Sequence, residues 1–419
     1  MKNIIKLLFL LIPFFGLGQQ AFENTYAPVL HKNKDWKLAA HTYYTQDNNS
    51  NYLSNEFSYA LNNGQFIDSD SKDQQMSKIE GPIRAQRLSD GGFGVWINQA
   101  KKEKPFYFYA GMDVQQVMDA EIHENFFGLA LYGNKKYAGE KISFSNTQYA
   151  NTYFNRLKFG LGKTINSQGL IHSFSGILAF SIGQNYSYYL INEAHLFTPV
   201  DGDYLELDIN AEAQLGNTTW GDIFTINGLG LSADLYYAVL KEKQFFASIK
   251  IHNLGFVHWN KSPFSALIDT NYRFDGLSND SSQSQEIPEN FAQQDIRDLI
   301  FPNPDHSSFN KMLPLDIKLS AGKYLMQGNL YIGTKIDIYP SLIANYRAEL
   351  FATWYLKPQL QLTPIISYSS FNKLYLGFAF SWQIKEMIYI KAGSSYLNTT
   401  FNPASPVGQG GFLSLTLVL

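Results

Sequence analysis

The chain has 419 residues, a formal net charge of −3 and no cysteine. Absent thiols exclude a disulfide framework, thiolate metal sites, a Cys nucleophile and lipoprotein processing, and the small charge without any Lys/Arg block gives no basis for nucleic-acid binding. Aromatic residues reach 16%, with 27 Tyr and 32 Phe, a surplus that suits membrane interfaces, while the negative mean hydropathy argues against helical spans but not against strands of alternating faces.

At the start, Lys2 and Lys6 flank an apolar run, Leu7 to Phe15, followed by Gly16-Leu17-Gly18. This pattern predicts a signal peptide over 1–18, cleaved after Gly18. The run is shorter than the roughly 20 residues a spanning helix needs. The remainder, 19–419, reads as one domain without linkers.

Period-two alternation in segments near ten residues long, separated by short polar turns, is the dominant signal. It predicts early strands at 36–46, 51–62, 85–97 and 105–117. The segment Val117 to Asn146, with a helical stretch Asn125 to Leu131, is then expected at the periplasmic mouth as a plug. Strands at 148–163, 172–189 and 203–214 follow. Gly160-Leu161-Gly162-Lys163-Thr164 resembles the end of a phosphate loop, but Leu157 stands where its first glycine belongs, so it reads as strand. Asp201, Asp203, Glu206 and Asp208 lack calcium-loop spacing with a central glycine.

The second half alternates more cleanly. Leu231, Ala233, Leu235, Tyr237 and Val239 share one face of a strand at 228–240, and Lys241-Glu242-Lys243 turns it into a partner at 243–257. A polar insertion, 260–311, is expected as a long extracellular loop, with a possible helix Pro288 to Phe301. Further strands are predicted at 313–323, 326–338, 343–355, 358–369, 372–383 and 387–396. The closing strand runs from Phe412 to Leu419, with alternate leucines on one face.

The expected fold is therefore all-β, a transmembrane antiparallel barrel of about 14–16 strands with both termini in the periplasm. Runs this long exceed the usual five to six residues of strands in soluble sandwiches. Charges fall on one strand face only: Asp234, Lys250, Asp316, Lys318, Lys335, Asp337, Arg347 and Glu349 are the candidate lumen-lining residues. They read either as a self-neutralising ladder of cross-strand pairs or as a polar lining that sets selectivity.

No H-E-x-x-H occurs among the eight histidines, and no nucleophile, base and orienting partner can be nominated, so no enzyme activity, cofactor or metal is expected.

Several motifs carry a family resemblance: Asn125-Phe-Phe-Gly-Leu-Ala-Leu-Tyr-Gly-Asn134, Tyr137-Ala-Gly-Glu-Lys-Ile142, Tyr153 through Gly162, Asn253-Leu-Gly-Phe256 with Trp259, and Leu313-Pro314. Through them the chain resembles a Bacteroidota outer-membrane β-barrel family of unknown function. The resemblance implies a barrel similar to FadL-type transporters and to barrel components of type IX secretion, with no catalytic residues to carry over. Two functions follow as expectations. One is a porin-like channel or transporter for small or hydrophobic molecules. The other is a non-conducting accessory barrel of an outer-membrane secretion or assembly complex. Expected partners are outer-membrane lipid, the machinery that inserts barrels and other outer-membrane or secretion-system proteins, with no nucleic acid.

Overall fold

Alternating apolar and polar side chains form strands because successive residues point to opposite faces of the pleat. A computed structural model describes residues 38–98, 106–216, 225–275, 304–357, 359–371, 373–384 and 387–418. The predicted signal peptide 1–18 and the predicted helix 288–301 lie outside the described residues. The first strands are β1 (Leu38–Ser54), β2 (Ile83–Asn98), β3 (Phe106–Ile122), β4 (Lys141–Ser143), β5 (Thr147–Ser167) and β6 (Leu170–Phe197). Next come β7 (Leu205–Leu215), β8 (Gly228–Lys241), β9 (Phe245–Trp259), β10 (Phe264–Phe274), β11 (Phe309–Met312) and β12 (Asp316–Leu325). The chain finishes with β13 (Leu330–Tyr339), β14 (Asn345–Lys357), β15 (Leu360–Ser369), β16 (Lys373–Ile384), β17 (Ile388–Ser394) and β18 (Pro406–Val418).

Fourteen of these close a ring in the order β1-β2-β3-β5-β6-β8-β9-β12-β13-β14-β15-β16-β17-β18 and back to β1, every neighbour antiparallel. Closure pairs Ala39 with Val418 and runs to Asn49 opposite Gly408, so neither terminal strand is left as an open edge. At the end where β1 begins and β18 finishes, turns are tight: Gln168-Gly169, with both residues at positive φ, joins β5 to β6 as a two-residue hairpin. The opposite, loop end carries the long connections.

The wall is apolar outside and charged inside, the reverse of a soluble protein. On β14, outward Leu350 and Trp354 are 51% and 57% exposed, whereas inward Glu349 is 2% exposed. Exposed Leu157 and Phe159, Leu178 and Phe180, Leu229 and Leu231, Leu374 and Leu376, and Leu413 continue this belt around the ring. Water-soluble monomers rarely expose a contiguous apolar patch beyond a few hundred Å². Tyr346 and Tyr368 lie outward near the loop end, and Trp354 and Trp382 near the other. On β14 the two girdles are separated by about 26 Å along the strand, or about 20 Å across the membrane at the usual tilt of roughly 40°, of the order of a barrel's apolar band of about 25 Å. The chain is a membrane-spanning barrel of the outer-membrane type.

Two expected strands do not join the ring, which reduces sixteen to fourteen. Residues 51–62 divide: β1 runs unbroken to Ser54, and α1 (Asn55–Asn62) follows, its first turn capped by the Ser54 hydroxyl accepting from Phe57 N–H at 3.2 Å. Residues 205–215 do form a strand, β7, but it pairs with the upper half of β6 and with β10 outside the ring. The missing strand before residue 117 also corrects the expected plug. Residues 123–146, with α3 (Glu124–Tyr132), sit at the loop end, where Phe127 packs on Phe57, Ile83 and Met76 of α2 (Ser69–Met76).

Strand β6 therefore forks. Its lower half pairs with β8 from Ile171 to Gly183, and its upper half with β7 from Ser187 to Phe197. Trp259, fully buried at the end of β9, fills the crotch. Gly183 and Gly216 face its ring, and a Cβ at either would overlap it, while a Cβ at Gly228 would meet the His258 carbonyl and Val257 at 2.7 Å.

Candidate functional site: a bridged lumen

Inward residues of β3, β5 and β8 build a first charge network. Because Leu157, Phe159 and Leu161 point to lipid, Arg156 and Lys158 point inside. Arg156 grips Asp113 bidentately, Nε to Oδ1 at 2.9 Å and Nη2 to Oδ2 at 2.6 Å, and reaches Asp234 Oδ1 through Nη1 at 2.6 Å. Lys158 Nζ bridges the same carboxylates at 2.9 and 3.1 Å. A bulge in β9 sets His252 and Asn253 opposite Asp234, with Asn253 at φ 61°, so its backbone N–H donates to Asp234 Oδ1 at 3.0 Å. Two cations meet two carboxylates in a dry site, the condition under which buried ions are tolerated.

A second network joins opposite walls. Arg347 on β14 donates through Nη1 to Asp47 Oδ2 of β1 at 2.5 Å and to the Tyr396 hydroxyl at 2.6 Å, and through Nη2 to Asp337 Oδ2 at 2.8 Å. Its Nε lies 3.2 Å from Glu349 Oε1. Lys335 Nζ donates to Asp337 at 2.9 Å, Ser395 donates to Glu349 at 3.0 Å, and the Tyr396 hydroxyl donates to Asp47. Four strands, β15 to β18, separate β14 from β1 around the ring, so Arg347–Asp47 is a chord across the lumen.

Two further chords are neutral. Asn253 of β9 donates through Nδ2 to Gln115 of β3 at 2.9 Å, and Asn345, the first residue of β14, donates to Gln86 of β2, which itself donates to Asp119 at 2.7 Å. Nearer the terminal end, Leu240, Phe246, Tyr331, Phe351, Ile365 and Phe412 pack into an apolar layer inside the ring. Charged and neutral chords thus cross the lumen above an apolar layer.

All eight sequence-nominated residues lie on inward strand faces. Lys335, Asp337, Arg347 and Glu349 converge in the second network, Asp234 belongs to the first, and Lys318 pairs with Asp316 at 2.9 Å. Lys250 is half-buried, opposite Tyr236 and Lys318. Sequence reading did not nominate Asp47, Asp113, Arg156, Lys158 or Tyr396. Arg156 and Lys158 carried the usable signal, alternating with Leu157, Phe159 and Leu161. Gly160 to Thr164 lie within β5. Among the described residues no three His, Asp or Glu side chains converge to hold a metal ion.

Residues 41–392 match a family described as a family of unknown function, DUF5723. The chain belongs to this family. No curated protein matches it. Among solved structures it is similar to the toluene transporter TodX of Pseudomonas putida, at 8% identity over 93% of this chain and 92% of that one, TM-score 0.44. It is likewise similar to the toluene transporter TbuX of Ralstonia pickettii (6%, 92% and 90%, TM-score 0.43) and to a Pseudomonas aeruginosa FadL homologue (9%, 92% and 90%, TM-score 0.40). The strand pairing within this chain assigns the barrel.

Proposed function

We propose that this protein is an occluded barrel of the outer membrane, its terminal end in the periplasm, that serves as a non-conducting accessory of a secretion or assembly complex rather than as an open pore. The observation that supports this reading is the Arg347 chord: a guanidinium 4% exposed, held by Asp47, Asp337 and Tyr396 from three sides. Opening a path past it strips paired charges of their partners, at about 3–5 kcal/mol for a broken buried pair. The surfaces left to work are at the loop end, where α1, α2 and α3 cluster and the β7–β10 flap projects.

Reconstituted into planar bilayers, the folded full-length chain should give no conductance steps, and mild-detergent isolation should recover stoichiometric partners. Steady stepwise current from the unaltered protein would sink the occluded reading in favour of a channel. Recovery as a lone barrel would sink the accessory role.

A further inference from the structure

Strand β10 is an edge of the flap. On one side it pairs with β7 over its whole length, Phe264 opposite Leu215 to Phe274 opposite Leu205, without a register shift. On the other side the described residues supply one bridge: Ser265 N–H donates to the Asp305 carbonyl at 2.8 Å, and Asp305 N–H to the Ser265 carbonyl at 2.7 Å. That bridge fixes the phase of the strand. Both backbone groups of Ser265 point away from β7, and successive residues alternate, so those of Leu267, Asp269, Asn271 and Arg273 point away from it too. Among the described residues these four have no second strand beside them. A row of outward donors and acceptors is a template for another strand, and β10 carries neither the proline nor the bulge that blunts such edges.

The side chains give this edge a chemical preference. Leu267, Asp269, Asn271 and Arg273 share one face, and Ile268, Thr270, Tyr272 and Phe274 the other. Register sets Glu212, Asn210, Asp208 and Glu206 of β7 beside the first group. Arg273 is engaged within the flap, by Asp275 at 2.7 Å, by Glu206 at 3.4 Å and by the Tyr204 ring at 3.8 Å. Asp269, Asp208 and Glu212 leave the face acidic next to the edge, while Lys141, opposite Phe197, and Lys311, over the Tyr188 ring, lie by β6 on the far side of β7.

We propose that the β10 edge binds an extended segment of a partner protein, about seven residues long, which adds a strand to the flap and carries Lys or Arg at alternate positions with apolar residues between them. This deepens the accessory role and rests on it. The backbone would supply affinity, and the acidic face would select the basic side of the incoming strand.

Residue-resolved hydrogen exchange on the full chain in detergent tests it. In the free protein the amides of Leu267, Asp269, Asn271 and Arg273 should exchange fast, whereas those of Ile268, Thr270 and Tyr272, bonded to β7, should be protected. An octapeptide alternating Lys and Val should protect the outward four saturably. The same residues in two blocks, or an octapeptide alternating Glu and Val, should not. Asn271→Pro removes one outward donor and leaves the β7 ladder whole, as edge strands allow, and should abolish that protection. If it fails to fold, as read from heat-modifiable gel migration, Asp269→Lys should weaken the alternating Lys peptide about tenfold. Outward amides already protected at every protein concentration would mean that the chain covers its own edge, and protection that grows with concentration would mean a second copy. Either result overturns the proposal, as does equal protection by all three peptides or by none. Conductance of the unaltered protein would sink the occluded reading without touching these amides, and protected outward amides in a barrel that stays silent would sink this inference alone.

Discussion

The two charge networks use the same chemistry for different ends. Asp113, Arg156, Lys158 and Asp234 belong to strands that are neighbours or next neighbours, so their ion pairs reinforce one stretch of wall. Asp47, Lys335, Asp337, Arg347 and Glu349, with Tyr396, span the lumen from β1 to β14. The first set fixes register. The second braces, together with the neutral chords, the cross-section that strand number and stagger set.

The largest test removes each central cation. Arg156→Ala and Arg347→Ala each strand buried carboxylates and should each cost about 3–5 kcal/mol of barrel stability in urea titrations. Combined with Phe351→Ala to thin the apolar layer, only Arg347→Ala should also give conductance in bilayers. Equal behaviour of the two variants there would break the distinction between wall and chord.

Tyr396→Phe is a smaller cut, taking away a hydroxyl that accepts from Arg347 and donates to Asp47. It should cost about 1–3 kcal/mol. Stability within a few tenths of a kcal/mol of the parent would mean that Arg347 holds the chord alone.

The smallest effect lies outside the membrane. Asp68 caps α2, its carboxylate accepting from Ser71 N–H at 2.7 Å, and that hydrogen bond holds its pKa below the ordinary 3.8. A depressed carboxyl pKa gives stability that is present above the unfolded value and lost as pH falls through the folded one. Amide exchange in 69–76 should therefore quicken only below pH 3.8. Asp68→Asn should abolish that pH dependence while leaving both networks intact, and an unchanged profile would remove the cap from the account.

The regular half of the wall was readable in the sequence because neighbouring strands settle it. From β12 to β16, apolar residues keep strict alternation, turns are short, and the predicted ranges agree with the structure to within a few residues. The other half depends on distant partners. Gln46-Asp47-Asn48-Asn49-Ser50 has the composition of a turn, yet it is strand, since Arg347 and Tyr396 draw Asp47 inward from across the ring. Likewise β7 alternates like any barrel strand, and nothing local to it tells that it pairs with β10 off the ring. Of the charged interior, the ladder on β13 and β14 was legible because its members are cross-strand neighbours, as in Lys335 opposite Glu349 and Asp337 opposite Arg347. The chord was not, because Asp47 and Arg347 are 300 positions apart.

The fork in β6 also has a mechanical meaning. One continuous 28-residue strand belongs to the membrane wall below and to the projecting flap above. A pull on the flap is carried down a single backbone as tension, with no hinge loop to absorb it. It arrives first at Trp259, wedged where the strands part company. That seam is where a load applied to the flap would begin to unzip the barrel.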